Sequence, residues 1–258
     1  MRTVNLAHGT LYLLGAYIGY DVADATGNWY LGVIAGTASM AVFGVVMQKV
    51  LLGWMQGQEL RQALITIGLS IIVADLMLAH WTGLTYQFSP PDYLLGFTRF
   101  SLFGGFKGYS TYRLFLLGVA IVIGILLWLL LNRTRFGMMV RAGVDDKEML
   151  GAQGINVPVV FILVFALGAG LAGFAGVIGG TALSIAPGED LRYLLSSLVV
   201  VIVGGMGSVG GAAIGALLIG LAEQYGLAYT PDYGVVYTFI IMVAVLAVRP
   251  HGILGRKE

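Results

Sequence analysis

Eight runs of apolar residues constrain this chain more than anything else in it: about 6–20, 30–48, 63–80, 113–131, 158–182, 192–205, 209–226 and 235–248. The hydrocarbon interior of a bilayer is about 30 Å thick and offers no water to peptide groups, so a crossing takes about 20 mostly apolar residues wound into helix. Several of the runs approach that length. Composition agrees with them. Of the 258 residues 58% are hydrophobic and 10% charged, against about 45–50% and about 25% in a soluble domain, which leaves too little polar surface to cover a water-soluble fold. The expected fold is all-α, a polytopic transmembrane helix bundle of about eight segments, some short or broken, forming a single membrane domain over 1–258. The first run is not followed by a small-residue cleavage site, so it is kept in the fold rather than read as a signal peptide.

The few cations report orientation. Loop 49–61 carries Lys49 and Arg61, loop 132–157 carries Arg133, Arg135, Arg141 and Lys147, and the C-terminus carries Arg249, Arg256 and Lys257. Basic loops stay on the cytoplasmic side, which places these three inside. Loop 21–29, with Asp21 and Asp24, and loop 227–234, with Asp232, then fall outside, and the eight crossings alternate without conflict. The loop 81–112 holds Arg99 and Lys107 but is long and contains Pro90-Pro91. Long loops translocate largely regardless of charge, so it is assigned outside.

Several chemistries are excluded by what the chain lacks. A net charge of +1 gives no basic footprint for nucleic acid, and the absence of cysteine removes disulfides, thiolate metal sites and a cysteine nucleophile. Gly205-Met206-Gly207-Ser208-Val209-Gly210 matches a dinucleotide fingerprint, but that motif needs a parallel sheet around it and an acidic residue about 20 positions on. A second match at 168–173 lies inside an apolar run. No phosphate-binding G-x-x-x-x-G-K-[ST], no H-E-x-x-H and no G-x-S-x-G occurs, so nothing supports catalysis, a metal or a cofactor on this chain.

The 39 glycines are about twice the usual share and suit helices that approach closely. Gly168, Ala172, Gly176 and Gly180 recur every four residues on one helix face, and Gly207, Gly211 and Gly215 form a similar stripe. Both read as packing faces. Runs 6–20 and 192–205 are short and adjoin glycine-rich breaks, as do the half-helices that line solute paths in transporters. Ionisable or polar groups at membrane depth are candidates for such a path, because an unpaired charge in hydrocarbon costs several kcal/mol. Asn5, His8, Asp75 and Glu223 are the candidates, with helix capping the competing reading for Asn5 and a solvated outer position for Asp75 and Glu223. His80 and Trp81 read as an interfacial anchor.

The loop 132–157 is the most informative polar stretch. A short helix from about Asp145 would carry acids at its start and stop near Gly154, in keeping with the helix dipole and glycine capping. Its Met149 and Leu150, with Ile155, would meet no lipid in a cytoplasmic loop, so either a partner groove or the protein's own face covers them.

Taken together, five landmarks resemble the inner-membrane permeases of branched-chain amino acid ABC importers. They are Asn5-Leu6-Ala7-His8-Gly9; Arg141-Ala142 through Glu148 to Gly154-Ile155-Asn156; Gly204-Gly205-Met206-Gly207-Ser208 with Gly210-Gly211; Glu223; and Arg249-Pro250-His251-Gly252-Ile253-Leu254-Gly255. They span essentially the whole chain. The resemblance implies a homologous second permease, two cytoplasmic ATPase subunits that bind the ATP, an extracytoplasmic solute-binding protein, and a multi-pass location in a bacterial-type inner membrane with the C-terminus inside. It implies that Arg141, Ala142, Asp145, Glu148, Gly154 and Asn156 belong to the segment that docks on an ATPase. Transport would proceed by alternating access, with selectivity for Leu, Ile, Val or a related solute lying largely in the binding protein. Permeases for urea or short-chain amides are similar at these motifs, and a self-sufficient carrier or channel is the alternative of a different class. Members of the family carry a further apolar helix before the Asn-Leu-Ala-His-Gly motif, so either a later-assigned start or a shortened form is expected here.

Overall fold

A computed structural model describes residues 5–55, 57–102, 105–230 and 234–255, and within these not the side chains of 99–107, Asp145, Gly234 or Val235. The fold is helical, with one β-hairpin. In order come α1 (His8–Thr26), α2 (Trp29–Val46), α3 (Glu59–Trp81), β1 (Phe97–Leu102), β2 (Gly105–Ser110), α4 (Thr111–Arg133), α5 (Arg135–Asp145), α6 (Lys147–Ala152), α7 (Val157–Leu183), α8 (Asp190–Gly204), α9 (Val209–Tyr229) and α10 (Gly234–Val248). Among the described residues five helical stretches are long and apolar enough to cross a bilayer: Trp29–Met55, α3, α4, α7 and α9. The first of these extends α2 through a π-helical turn, Met47–Leu52, and a 3₁₀ turn, Gly53–Met55. Each of the eight apolar runs lies mainly within one helix.

The chain forms two compact units: residues 1–121 with 131–194, and residues 122–130 with 195–258. The first is built on α1, α2 and α7, whose backbones meet through glycines. A Cβ on Gly36 would lie 2.5 Å from the Gly15 carbonyl oxygen, one on Gly15 would lie 2.5 Å from the Gly173 Cα, and one on Gly173 would overlap the Gly36 carbonyl oxygen. Only hydrogen fits at such crossings, and the close approach supplies van der Waals contact where no hydrophobic effect separates protein from lipid. Around this crossing pack Leu13, Tyr17, Trp29, Met77, Val177 and their neighbours. Trp29 Nε1 donates to Thr181 Oγ1 at 3.0 Å, and Trp81 Nε1 donates to Asp21 Oδ1 at 3.0 Å. Asn28 starts α2 by accepting from Tyr30 N and Leu31 N.

Two expectations change. The loop 81–112 contains the antiparallel hairpin β1–β2, with Phe97 opposite Ser110. The loop 132–157 holds two helices rather than one from Asp145. Thr134 starts α5 by accepting from Gly137 N at 3.1 Å, and Asp146 ends α5 and starts α6.

In the second unit α8 turns into α9 through Gly204 and Gly211, in backbone contact, and Ser208 starts α9 by accepting from Gly211 N at 3.0 Å. The C-terminal segment returns to this turn. Ile253 N donates to Val203 O at 2.9 Å and Leu254 N to Gly204 O at 3.0 Å. Gly205 and Gly252 face each other with φ of +100° and +78°, and a Cβ on Gly252 would lie 2.5 Å from the Gly205 Cα. Both the conformation and the space require glycine.

Candidate coupling surface and membrane-interior site

The helices α5 and α6 fold back on the start of α7. Asp146 Oδ1 accepts from Glu148 N at 2.9 Å and Met149 N at 3.0 Å, two of the donors a helix start leaves over. The Asp145 side chain lies outside the described residues. Gly154 turns the chain at φ +79°, and Asn156 Oδ1 accepts from Val159 N at 3.3 Å to start α7. Arg141 donates to the Leu131 carbonyl and, at 3.5 Å, to Asn132 Oδ1, which ties α5 to the end of α4.

The apolar residues of this region divide. Leu150 turns inward and is buried, in the space that Gly143 leaves free, so it is not part of an outward face. Met138, Val144 and Met149 point outward, Met149 with 60% of its surface accessible, alongside the exposed Ala142 and Glu148. The outward apolar surface therefore comes from both helices, and Ile155, between α6 and α7, is half-buried.

The interior candidates are dispersed. Asn5 does not cap α1, whose N-cap is Ala7 two residues on: its Oδ1 accepts from Ala7 N at 3.0 Å, while Leu6 N donates to Thr66 Oγ1 of α3 at 3.1 Å. His8 is half-buried in the first turn of α1. Asp75 lies on the exposed face of α3, and Glu223 is half-buried on α9 in the other unit. Asn5 and His8 are thus neighbours, and Asp75 is on a different helix. The glycines divide too. A Cβ on Gly176 would overlap the Tyr12 carbonyl oxygen, and one on Gly180 would come within 2.7 Å of Ile185, whereas Gly168 and Gly207 face open space. Gly211 and Gly215 lie against the α8 backbone, a Cβ on Gly215 being 2.5 Å from Val200 O.

Other polar groups emerge only in three dimensions. Thr10 is buried in the first turn of α1, and its hydroxyl donates to Asp190 Oδ2 at 3.2 Å. Gln48, in the π-helical turn after α2, and Gln62 and Thr66, in the first two turns of α3, are buried. Asp190 lies two residues before the apolar run 192–205, and nothing in the sequence singles it out. Among the described residues no group of His, Cys, Asp and Glu could hold a metal ion.

These elements define a polytopic helical membrane protein with a glycine-packed core and a two-helix excursion, α5 and α6, between α4 and α7. Residues 1–246 match the family described as the branched-chain amino acid transport system permease component, and the chain belongs to that family. The high-affinity branched-chain amino acid permease protein BraD of Pseudomonas aeruginosa is 30% identical over 99% of this chain and 87% of its own length. LivH of Escherichia coli K12, with the same descriptive name, is 29% identical over 99% of this chain and 86% of its own. The galactose/methyl galactoside import permease protein MglC of Salmonella typhimurium is 27% identical over 64% of this chain and 50% of its own. No solved structure matches.

Proposed function

We propose that this chain is the membrane permease subunit of an ATP-binding-cassette importer that translocates branched-chain amino acids by alternating access. The observation that carries the reading is the family match over residues 1–246, with relatives named for this transport covering 99% of the chain. The absence of a phosphate-binding loop assigns ATP to partner subunits. The partners are two cytoplasmic ATPases, a homologous second permease and an extracytoplasmic binding protein, with the complex in the inner membrane and the C-terminus of this chain inside. The whole of 1–258 works as one permease domain.

The outward face of α5 and α6, with Met138, Val144, Met149 and Glu148, supports an ATPase-docking role: an amphipathic helix presents apolar anchors to a groove and frames them with charge. ATP binding would draw the ATPases together, move α6, and change the path only if the two states differ in their contacts with solute. The test is purification of the chain, tagged at its C-terminus, from its native membrane in mild detergent. Two P-loop ATPases and a second permease are expected by mass spectrometry, and recovery of the chain alone from a membrane that contains those subunits would refute the importer reading.

A further inference from the structure

The start of α1 lies deep in the first unit. Leu11 packs with Ala169 and Ala172 of α7, and α7 runs 27 residues from Val157. At about 1.5 Å per residue, Ala169 is about 18 Å along a helix of about 40 Å, near its middle. The start of α8 reaches the same level. A Cβ on Gly9 would overlap the Asp190 carbonyl oxygen and lie 2.7 Å from Leu194 N, so the two helix starts are in backbone contact. Helix starts that meet near mid-depth, here those of α1 and the 15-residue α8, are the arrangement in which free polar groups face a solute path.

Asp190 is the acid at this junction. Its side chain is half-buried, Thr10 Oγ1 donates to Oδ2 at 3.2 Å, and among the described residues no basic side chain lies within ion-pair distance. The nearby Arg192 pairs with Glu189 at 3.2 Å. A carboxylate has about four lone-pair sites, and one hydroxyl leaves most of them unused. A second polar group nearby is also unfilled. The Tyr17 hydroxyl is fully buried and has no hydrogen-bond partner among the described residues, in the cluster against which Tyr193 packs. Tyr193, three residues past Asp190, sets its ring 4.3 Å from that of Tyr12, two residues past Thr10.

We propose that Asp190, held by Thr10, receives the ammonium group of a zwitterionic amino acid as it passes this level of the permease. The inference rests on the importer reading and adds a recognition point to it. An ammonium brings three donors and a positive charge to a carboxylate that has spare acceptors and no cation. A carboxylate at membrane depth without a paired cation is costly, and a passing ammonium relieves that cost. Half-exposure keeps the pair weak enough to release. The Tyr12 and Tyr193 rings offer an apolar wall to a branched side chain.

The test uses the importer reconstituted with its partner subunits in lipid vesicles. Asp190→Asn keeps the shape, the acceptor for Thr10 and an equally good helix start, and removes the charge. Leucine uptake is expected to fall tenfold or more with assembly and half-saturating concentration unchanged, and Asp190→Glu is expected to restore most of it. Uptake by Asp190→Asn equal to that of the parent overturns the proposal, while a parent importer that moves no amino acid overturns the importer reading instead. A second measurement does not require transport. The chain has no cysteine, so Tyr193→Cys adds a single thiol to it. Its modification, read on this chain by mass, is expected to favour a cationic over an anionic methanethiosulfonate, a preference that Asp190→Asn removes. Leucine and isopentylamine are expected to slow it and 4-methylpentanoate, which lacks the ammonium, is not. Equal slowing by 4-methylpentanoate, or by sodium ion in place of the amine, overturns the ammonium assignment.

Discussion

Replacing Gly176 by alanine tests whether the three-helix crossing is held by backbone contact. The added Cβ would overlap the Tyr12 carbonyl oxygen and come within 2.9 Å of its carbon and 3.2 Å of Ala16 N. The obstacle is backbone, with no flexible side chain to swing aside, so α1 and α7 must part by about 1 Å. A gap of 0.5–1 Å forfeits about a quarter to a half of each contact's dispersion energy. Overpacking costs about 1–3 kcal/mol, and the rigid obstacle places this site at about 3. Alanine recovers about 1 kcal/mol through helix propensity, which leaves a net loss of about 2 kcal/mol. For a chain of this size that lowers the melting temperature by about 4–8 °C. Gly168→Ala is the internal comparison, eight residues away on the same stripe but facing open space. It gains propensity without overlap and should melt at or above the parent temperature. The assay is thermal denaturation in detergent, followed by the fraction of chain that still elutes as a monodisperse peak. Equal melting of Gly176→Ala and the parent, or an equal fall in Gly168→Ala, would falsify the reasoning.

Three further outcomes are expected. Asp146→Ala removes the acceptor for Glu148 N and Met149 N, should cost α6 about 1 kcal/mol, and should lower solute-stimulated ATP hydrolysis, whereas Asp146→Asn should not; hydrolysis assays of the assembled complex decide it. Gly154→Val forces a β-branched residue to φ +79° and should uncouple hydrolysis from uptake without preventing membrane insertion, which simultaneous uptake and phosphate-release measurements would show. Gly252→Ala meets both a φ of +78° and the Gly205 backbone, and should free the C-terminal segment from the α8–α9 turn, read as faster proteolysis after Arg249.

The helices were legible because each apolar run must satisfy its own peptide groups in lipid, although α1 continues to Thr26 through most of the segment 21–29 read as a loop, because polar residues at a helix end can stay helical in water. The run at 113–131, for instance, lies inside α4, Thr111–Arg133. What the periodicity could not show was which face meets which. The four-residue stripe through Gly168 picks one face of α7, yet Gly173, one position off that stripe, meets α2. The helix α5 escaped notice because it is amphipathic rather than apolar, and its start depends on a single threonine cap. The hairpin 97–110 carries no alternation strong enough to separate it from a loop. Asp190 was hidden for a geometric reason: the depth at which a short helix begins is set by its neighbours, here Gly9 and Thr10, and not by its own residues. The sequence likewise marked Arg249 to Gly255 as a landmark without a role, and the role is physical, a backbone latch on the α8–α9 turn.

The same geometry bears on how a movement at the proposed ATPase-docking helices α5 and α6 would spread through the first unit. Within the first unit α7 touches α5 and α6 near its start and meets α1 and α2 along its middle. Its interior glycines set backbone against backbone at the crossings with α1 and α2, with Met40 and Val177 packed beside them, so these three helices cannot slide independently without opening the contacts at Gly36, Gly173 and Gly176. A displacement of α6 is therefore carried as motion of the three-helix body and not absorbed at its first interface. The prediction is a pair of cysteines placed at Ala41 and Gly170, where an added Cβ on Gly170 lies 3.2 Å from the Ala41 Cβ. Cross-linking this pair should leave uptake close to the parent level, because α2 and α7 move together. Loss of uptake on oxidation, restored by reductant, would show instead that the crossing itself opens during transport, and the rigid-body account would have to be abandoned.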